Sequence, residues 1–270
     1  MPTIKITYSD PSYQPNAEAL AGKLGLPLVD ITDSGLKTSQ NALAGYYLEY
    51  AIDGLCLKSA VRNEHGPIRC DFTSGASSHR RKYGGGNGQA IAKAVGISGK
   101  FAPQVLDLTA GMGGDGFVLA TLGCQILLLE RNSIVHSLLD DGLRRASLAG
   151  QADTELAAIT SRISLLNTDA GSYLQALPAE PCADIIYLDP MFPERKKSAK
   201  VKKEMQAFHG IVGADEDASE LLQLALARAR YRVVVKRSSS AGYLADTTPS
   251  YSLEGKSTRF DVFALQKLPG

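Results

Sequence analysis

With 270 residues, 44% of them hydrophobic, the chain is long enough for one large α/β domain and a small one around a sizeable core. Its 29 Lys and Arg nearly cancel 28 Asp and Glu, so overall charge names no partner. No apolar run approaches the ~20 residues of a membrane-crossing helix, Met1-Pro2-Thr3-Ile4-Lys5 lacks a signal-peptide layout, and four scattered cysteines without a C-x-x-C pair argue against a disulfide or structural metal and for a reducing cytoplasm.

Residues 1–75 read as a small α+β domain. Residues 3–8 alternate like a strand, and 16–24 read as a short helix ending at Gly25. Strands over 46–52 and 55–60 flank the hairpin signal Asp53-Gly54. Residues 76–104 then lead into the second domain, 76–270, with a basic glycine-rich loop from Ser77 to Gly86 and a helix over 87–95 stopped by Gly96. From residue 105 the chain alternates. Strands are expected over 105–108, 125–129, 163–166, 184–188 and 232–236, and helices over 116–122, 133–148 and 218–229. Such alternation implies a parallel sheet with helices on both faces. The end breaks this rhythm, because 251–254 and 259–266 look like a hairpin with no helix between its strands. A terminal antiparallel hairpin separates the Rossmann-like sheet of class I methyltransferases from that of dehydrogenases.

The chemistry follows the strand ends. Gly111, Gly113 and Gly116 satisfy G-x-G-x-x-G between a strand and a helix, where glycine lets the backbone turn tightly against a ligand. Glu130 closes the next strand, where a carboxylate can accept two ribose hydroxyls. The pair points to a nucleoside cofactor. No Gly-Lys-Ser/Thr closes the turn, which excludes a P-loop, and Asp115 would repel a pyrophosphate at the helix start. S-adenosyl-L-methionine, which carries cationic groups and no phosphate, suits Asp115 and Asp107 better. Asp169, after the third strand, is placed to meet an adenine amino group.

Asp189-Pro190-Met191-Phe192 is the candidate catalytic motif. A planar exocyclic amine is a poor nucleophile because its lone pair is delocalised. A carboxylate and a main-chain carbonyl accepting its two hydrogens free that lone pair, while Pro190 stiffens the turn and Phe192 offers a stacking face. The basic run Arg195, Lys196, Lys197, Lys200, Lys202 and Lys203 follows at once, and Arg80, Arg81 and Lys82 lie in the glycine loop. Basic charge this close to the motif favours phosphate contact, hence an RNA substrate. The four histidines are too dispersed for a metal site.

These residues resemble the bacterial 16S ribosomal RNA guanine-N2 methyltransferases of the RsmJ type. The likeness runs through His79–Gly86, Asp107–Phe117, Glu130-Arg131-Asn132, Leu139–Leu143, Asp189–Pro193, Val201–Met205, Val233–Arg237 and Arg259-Phe260-Asp261. It implies transfer of one methyl group to N2 of a guanine near the 3′ end of 16S rRNA, free or in the small ribosomal subunit. It also implies cofactor contacts at Gly114-Asp115, Glu130-Arg131, Asp169-Ala170 and Asp189. Gly114 stands where many relatives carry arginine, and Asp169-Ala170 where some carry two serines. The alternatives are an amino-methyltransferase acting on DNA or a protein glutamine, a non-catalytic RNA-binding module on the same fold, and a dehydrogenase.

Overall fold

The structure is a computed structural model and describes residues 4–31, 45–61, 64–74, 88–191 and 217–269. Phe192 and the basic positions Arg80, Arg81, Lys82, Lys196, Lys197 and Lys200 lie outside the described residues.

The N-terminal part forms a three-stranded sheet from β1 (Lys5–Tyr8), β2 (Tyr46–Ala51) and β3 (Gly54–Ser59), in that order. β1 runs parallel to β2, and β2 and β3 form the expected hairpin. Helix α1 (Gln14–Leu24) begins two residues earlier than its apolar pattern indicates, because Pro15 is well suited to a helix's first turn, and it stops at left-handed Gly25. Helix α2 (Ala90–Val95) is likewise closed by Gly96.

The remainder builds a seven-stranded sheet in the order β6-β5-β4-β7-β8-β10-β9. Its members are β4 (Gln104–Asp107), β5 (Gln125–Leu129), β6 (Ile163–Leu166), β7 (Ala183–Leu188), β8 (Ala229–Ser238), β9 (Tyr251–Glu254) and β10 (Thr258–Ala264). The first five are mutually parallel, while β10 is antiparallel to both β8 and β9. The α/β sheet with a C-terminal antiparallel hairpin is therefore present. Strand β8 is twice the expected length because α7 (Ala218–Arg228) feeds it directly at Ala229, with no loop between them.

Period-two alternation sorts the sheet's side chains onto two cores. Val105, Ile185, Tyr187 and Val234 join the core shared with α3 (Gly114–Thr121), α4 (Ser133–Ala149), α5 (Thr154–Thr160) and the N-terminal sheet. Leu106, Ile186, Leu188, Val233 and Val235 join the opposite core, under α6 (Ala170–Ala176) and α7. Helices α5 and α6 are not in the sequence-based reading. Each has only seven residues, too few to display a helical period, but each is capped by an aspartate, Asp153 or Asp169, accepting a main-chain N–H of its first turn.

The N-terminal sheet is seated on α4. Leu55 N donates to Asp141 Oδ2 at 2.9 Å, and Arg144 and Arg145 donate to the same carboxylate. Gly142 leaves room for the main chain of Cys70, which a Cβ would approach to 3.0 Å. Phe72 stacks on Phe117 of α3 with centroids 4.6 Å apart.

Candidate active site

The chain crosses from one side of the sheet to the other at β4, with β5 on one flank and β7 on the other. Open parallel sheets bind ligands at such a point, outside the carboxyl ends of the strands. A cleft of about 500 Å³ lies there. Of the expected site residues, Asp107, Gly111, Gly114, Asp115, Glu130, Arg131, Asp169, Ala170 and Asp189 all line it. Pro190 is buried just behind Asp189 and is not among the lining residues.

Gly113 also stays out of the lining, and its contribution is conformational. With φ of 72° it starts α3, and an added Cβ would come within 2.5 Å of Leu139 Cδ1. Gly116 lets α3 settle onto β5, since a Cβ there would meet Leu128 Cδ2 at 2.6 Å. Nothing lies within 4 Å of a Cβ built on Gly114, so the helix start opens onto free space.

Glu130 follows β5 and is buried. Its Oε2 accepts from Gly111 N at 2.9 Å and its Oε1 from Asn132 N at 2.7 Å. One carboxylate thus pins the glycine turn on one side and the start of α4 on the other. Asn167 Nδ2 braces it from β6 by donating to the Glu130 carbonyl. Beside it, Arg131 Nη1 reaches both oxygens of Asp217, at 2.9 and 3.1 Å, across the cleft mouth. Asp169 does two things at once, capping α6 through Ser172 N at 2.8 Å and facing the cleft. That N–H holds its carboxyl below the usual range.

A second cluster arises from the pleat. Asp107, Tyr187, Asp189 and Lys236 fall on one face of three adjacent strands by the same alternation that places Val105, Ile185 and Val234 there. Asp115 of α3 closes this cluster. Lys236 Nζ lies 2.7 Å from Asp115 Oδ2 and 2.8 Å from Asp189 Oδ2, and Tyr187 Oη donates to Asp115 Oδ2 at 2.7 Å. Thr109 ties the ends of β4 and β7 together, accepting from Asp189 N at 2.6 Å and donating its N–H to Asp107 Oδ1 at 3.0 Å. Lys236, Tyr187 and Thr109 were not among the expected site residues. Lys236 carried a signal all the same: like Asp107 and Asp189, it is a charged residue directly after an apolar strand run.

Burial pushes the Asp107 carboxyl up to about 8, against the Thr109 N–H, with Asp115 and Asp189 adding to the rise and Lys236 opposing it. The acid therefore holds its proton at neutral pH. Together with the ion pair at Asp115, this weakens the expectation that bare carboxylate charge selects a cationic cofactor; shape and hydrogen bonding carry more of the preference. It also has a consequence for stability. The unfolded acid titrates near 3.9, so the native state retains a proton that the unfolded chain has lost, and stability falls as pH rises from about 4 through 8. Asp107→Asn, which cannot titrate, is expected to gain on wild type by up to ~1.4 kcal/mol per pH unit across that window. Denaturant unfolding at pH 5.5 and 8 measures the difference, and parallel behaviour of the two proteins would exclude a protonated Asp107.

The donor set fits S-adenosylmethionine: carboxylates at the ends of β5 and β6 for hydroxyl and amino groups, and an uncrowded helix start at Gly114. Residues 31–265 match the family described as "Putative SAM-dependent methyltransferase". The chain belongs to this family. Among its relatives, "Ribosomal RNA small subunit methyltransferase J" of Cellvibrio japonicus is 50% identical, over 95% of this chain and 96% of that protein. The protein of the same name from Pseudomonas aeruginosa strain PAO1 is 46% identical over 93% and 91%. The crystal structure of a SAM-dependent methyltransferase from Neisseria gonorrhoeae superposes with a TM-score of 0.69 at 36% identity, covering 96% of this chain and 95% of that one. The expected fold and S-adenosylmethionine dependence follow from membership of the family. Among the described residues no helix is long and apolar enough to cross a membrane.

Proposed function

We propose that this methyltransferase transfers one methyl group to the exocyclic N2 amine of a guanine near the 3′ end of 16S rRNA. The observation that carries the reading is Asp189 at the end of β7, sharing one cleft with Glu130 at the end of β5. Relatives named for ribosomal RNA small subunit methylation, similar over nearly their whole length, support the substrate class.

Glu130 would hold the ribose, the turn over 111–115 the methionine part and Asp169 the adenine edge, with Arg131 and Ala170 beside them. Once bound, S-adenosylmethionine supplies an electrophilic methyl group. Asp189 accepts an N–H of the guanine amine and draws the nitrogen lone pair out of the ring plane. Thr109, through the Asp189 N–H, and Pro190, through its fixed φ, hold that acceptor in place. Phe192 would stack on the base. Ile68 extends the cleft lining into the N-terminal unit, for which residues 1–75 remain the proposed extent. An rRNA substrate implies work in the cytoplasm, on free 16S rRNA or the small subunit, and the reaction needs no metal.

Mapping N2-methylguanine in rRNA with and without the protein tests this reading. Loss of one such guanine from 16S rRNA, restored by the purified protein, is expected. An unchanged rRNA with a methyl group missing from DNA or a protein glutamine would replace it, and no missing methyl group anywhere would favour a binding module.

Arg80, Arg81 and Lys82, with Lys196, Lys197 and Lys200, are proposed to contact phosphates. Replacing the last three by alanine is expected to weaken RNA binding without changing which guanine is modified, because phosphate contacts position but do not read sequence. Each phosphate interaction removed should flatten the slope of log affinity against log salt by about 0.7–0.9. An unchanged slope would assign the segment to solvent.

A further inference from the structure

One cation in the cleft has no part in the mechanism above. Lys236 lies next to Asp189 across paired strands, since Leu188 of β7 is in register with Val235 of β8. Its ammonium contacts one carboxylate from α3, Asp115, and one from the end of β7, Asp189, at 2.7 and 2.8 Å. It therefore ties the side of the cleft assigned to the cofactor to the side assigned to the substrate. Among the described residues, the charged and titratable groups facing it are Asp115 from α3, Tyr187 and Asp189 from β7 and its turn, and Asp107 from β4. On β10 its register partner is the apolar Phe260.

Without the Lys236 ammonium, the Asp115 and Asp189 carboxylates that now share it would lose the cation between them, and a protonated Asp189 would lose most of its strength as an acceptor for an amine that gains positive charge. Burial works against the Lys236 ammonium, yet Asp189 and Asp115 outweigh it and hold the lysine charged above its ordinary range. The cation and the two anions are thus mutually dependent. Tyr187 restrains the Asp115 end of the bridge through its hydroxyl.

We propose that Lys236 is a positioning residue for methyl transfer: it fixes the orientation of the Asp189 carboxylate and keeps it ionised for the incoming amine. This rests on the function proposed above. Arginine, which carries the same charge, should substitute in part; methionine, of similar length and no charge, should not.

The test compares wild type, Lys236→Met and Lys236→Arg. It uses single-turnover methylation of 16S rRNA from pH 5.5 to 9, melting of the ligand-free proteins from pH 4 to 8, and calorimetric binding of S-adenosylhomocysteine. Misplacing a reacting group typically costs about 100-fold, and that loss is expected for Lys236→Met at pH 7. The deficit should shrink towards pH 9, where alkali restores the carboxylate's charge, and Lys236→Arg should keep the wild-type acid limb. In the ligand-free proteins the melting gap between wild type and Lys236→Met should be wider at neutral pH than at pH 4, because the ammonium stabilises only carboxylates that carry charge. Rate profiles displaced by a constant factor, with a melting gap independent of pH, would overturn the proposal. Tenfold weaker S-adenosylhomocysteine binding with an unmoved pH profile would also overturn it, and would give Lys236 to the cofactor. If wild type methylates no guanine, the proposed function fails instead, and the melting gap still decides whether Lys236 sets the charge of this cluster.

Discussion

Asp189→Ala is expected to cut single-turnover methyl transfer by about 10³-fold or more, equivalent to ~4 kcal/mol of transition-state stabilisation. The acceptor matters most as the attacking nitrogen gains charge, so the loss should fall on kcat rather than on RNA affinity. The fold should survive. The Asp189 side chain is 41% exposed, Lys236 keeps Asp115 as a partner, and the main-chain bond from Asp189 N to Thr109 Oγ1 does not need the carboxylate. A folded variant with rates within threefold of wild type would remove Asp189 from the chemistry.

Glu130→Ala carries the second large effect, on cofactor binding. Two charge-assisted bonds to a ribose are together worth about 2–4 kcal/mol, a fall in affinity of roughly 30- to 1000-fold. The sequence alone suggests that the fold would be untouched, but the structure shows a further cost. Alanine leaves Gly111 N and Asn132 N without their acceptor, which destabilises by ~1–3 kcal/mol for each N–H that water cannot reach. Glu130→Gln, which retains one acceptor oxygen, should lie between the two proteins in both affinity and melting temperature. Calorimetry with S-adenosylhomocysteine at a temperature where all three are folded separates the effects. Full affinity in the alanine protein would make Glu130 a framework residue only.

The parallel sheet was legible because its strands are short apolar runs punctuated by glycine, aspartate and proline. Their charged ends fell where the sheet exposes its carboxyl edge, so Asp107, Glu130, Asp169 and Asp189 could be placed in one cleft from the sequence alone. Pairing was not legible. That Asp115 and Asp189 share an ammonium depends on the lateral register of β7 and β8 and on the packing of α3, which period and spacing do not encode. Asp169 illustrates the same limit, since a carboxylate after a strand reads equally as a ligand and as the cap it is seen to be. Tyr187 reads as a core aromatic, and only its hydroxyl, aimed at Asp115 from full burial, reveals a polar task.

The seating of the N-terminal sheet on α4 bears on how the chain leaves the ribosome. Leu55 and Leu57 of β3 and Cys70 emerge early, whereas the helix that covers them, bearing Leu138, Leu139, Asp141 and Gly142, is made some eighty residues later. At synthesis rates of about 5–20 residues per second, that apolar surface waits on the order of 4–16 s for its cover. During that interval the hairpin is a sheet with one wet face, the kind of intermediate that chaperones hold. Slowing translation before α4 would lengthen the exposure, so yield of folded protein, rather than activity per folded molecule, is where synonymous changes in this stretch would register.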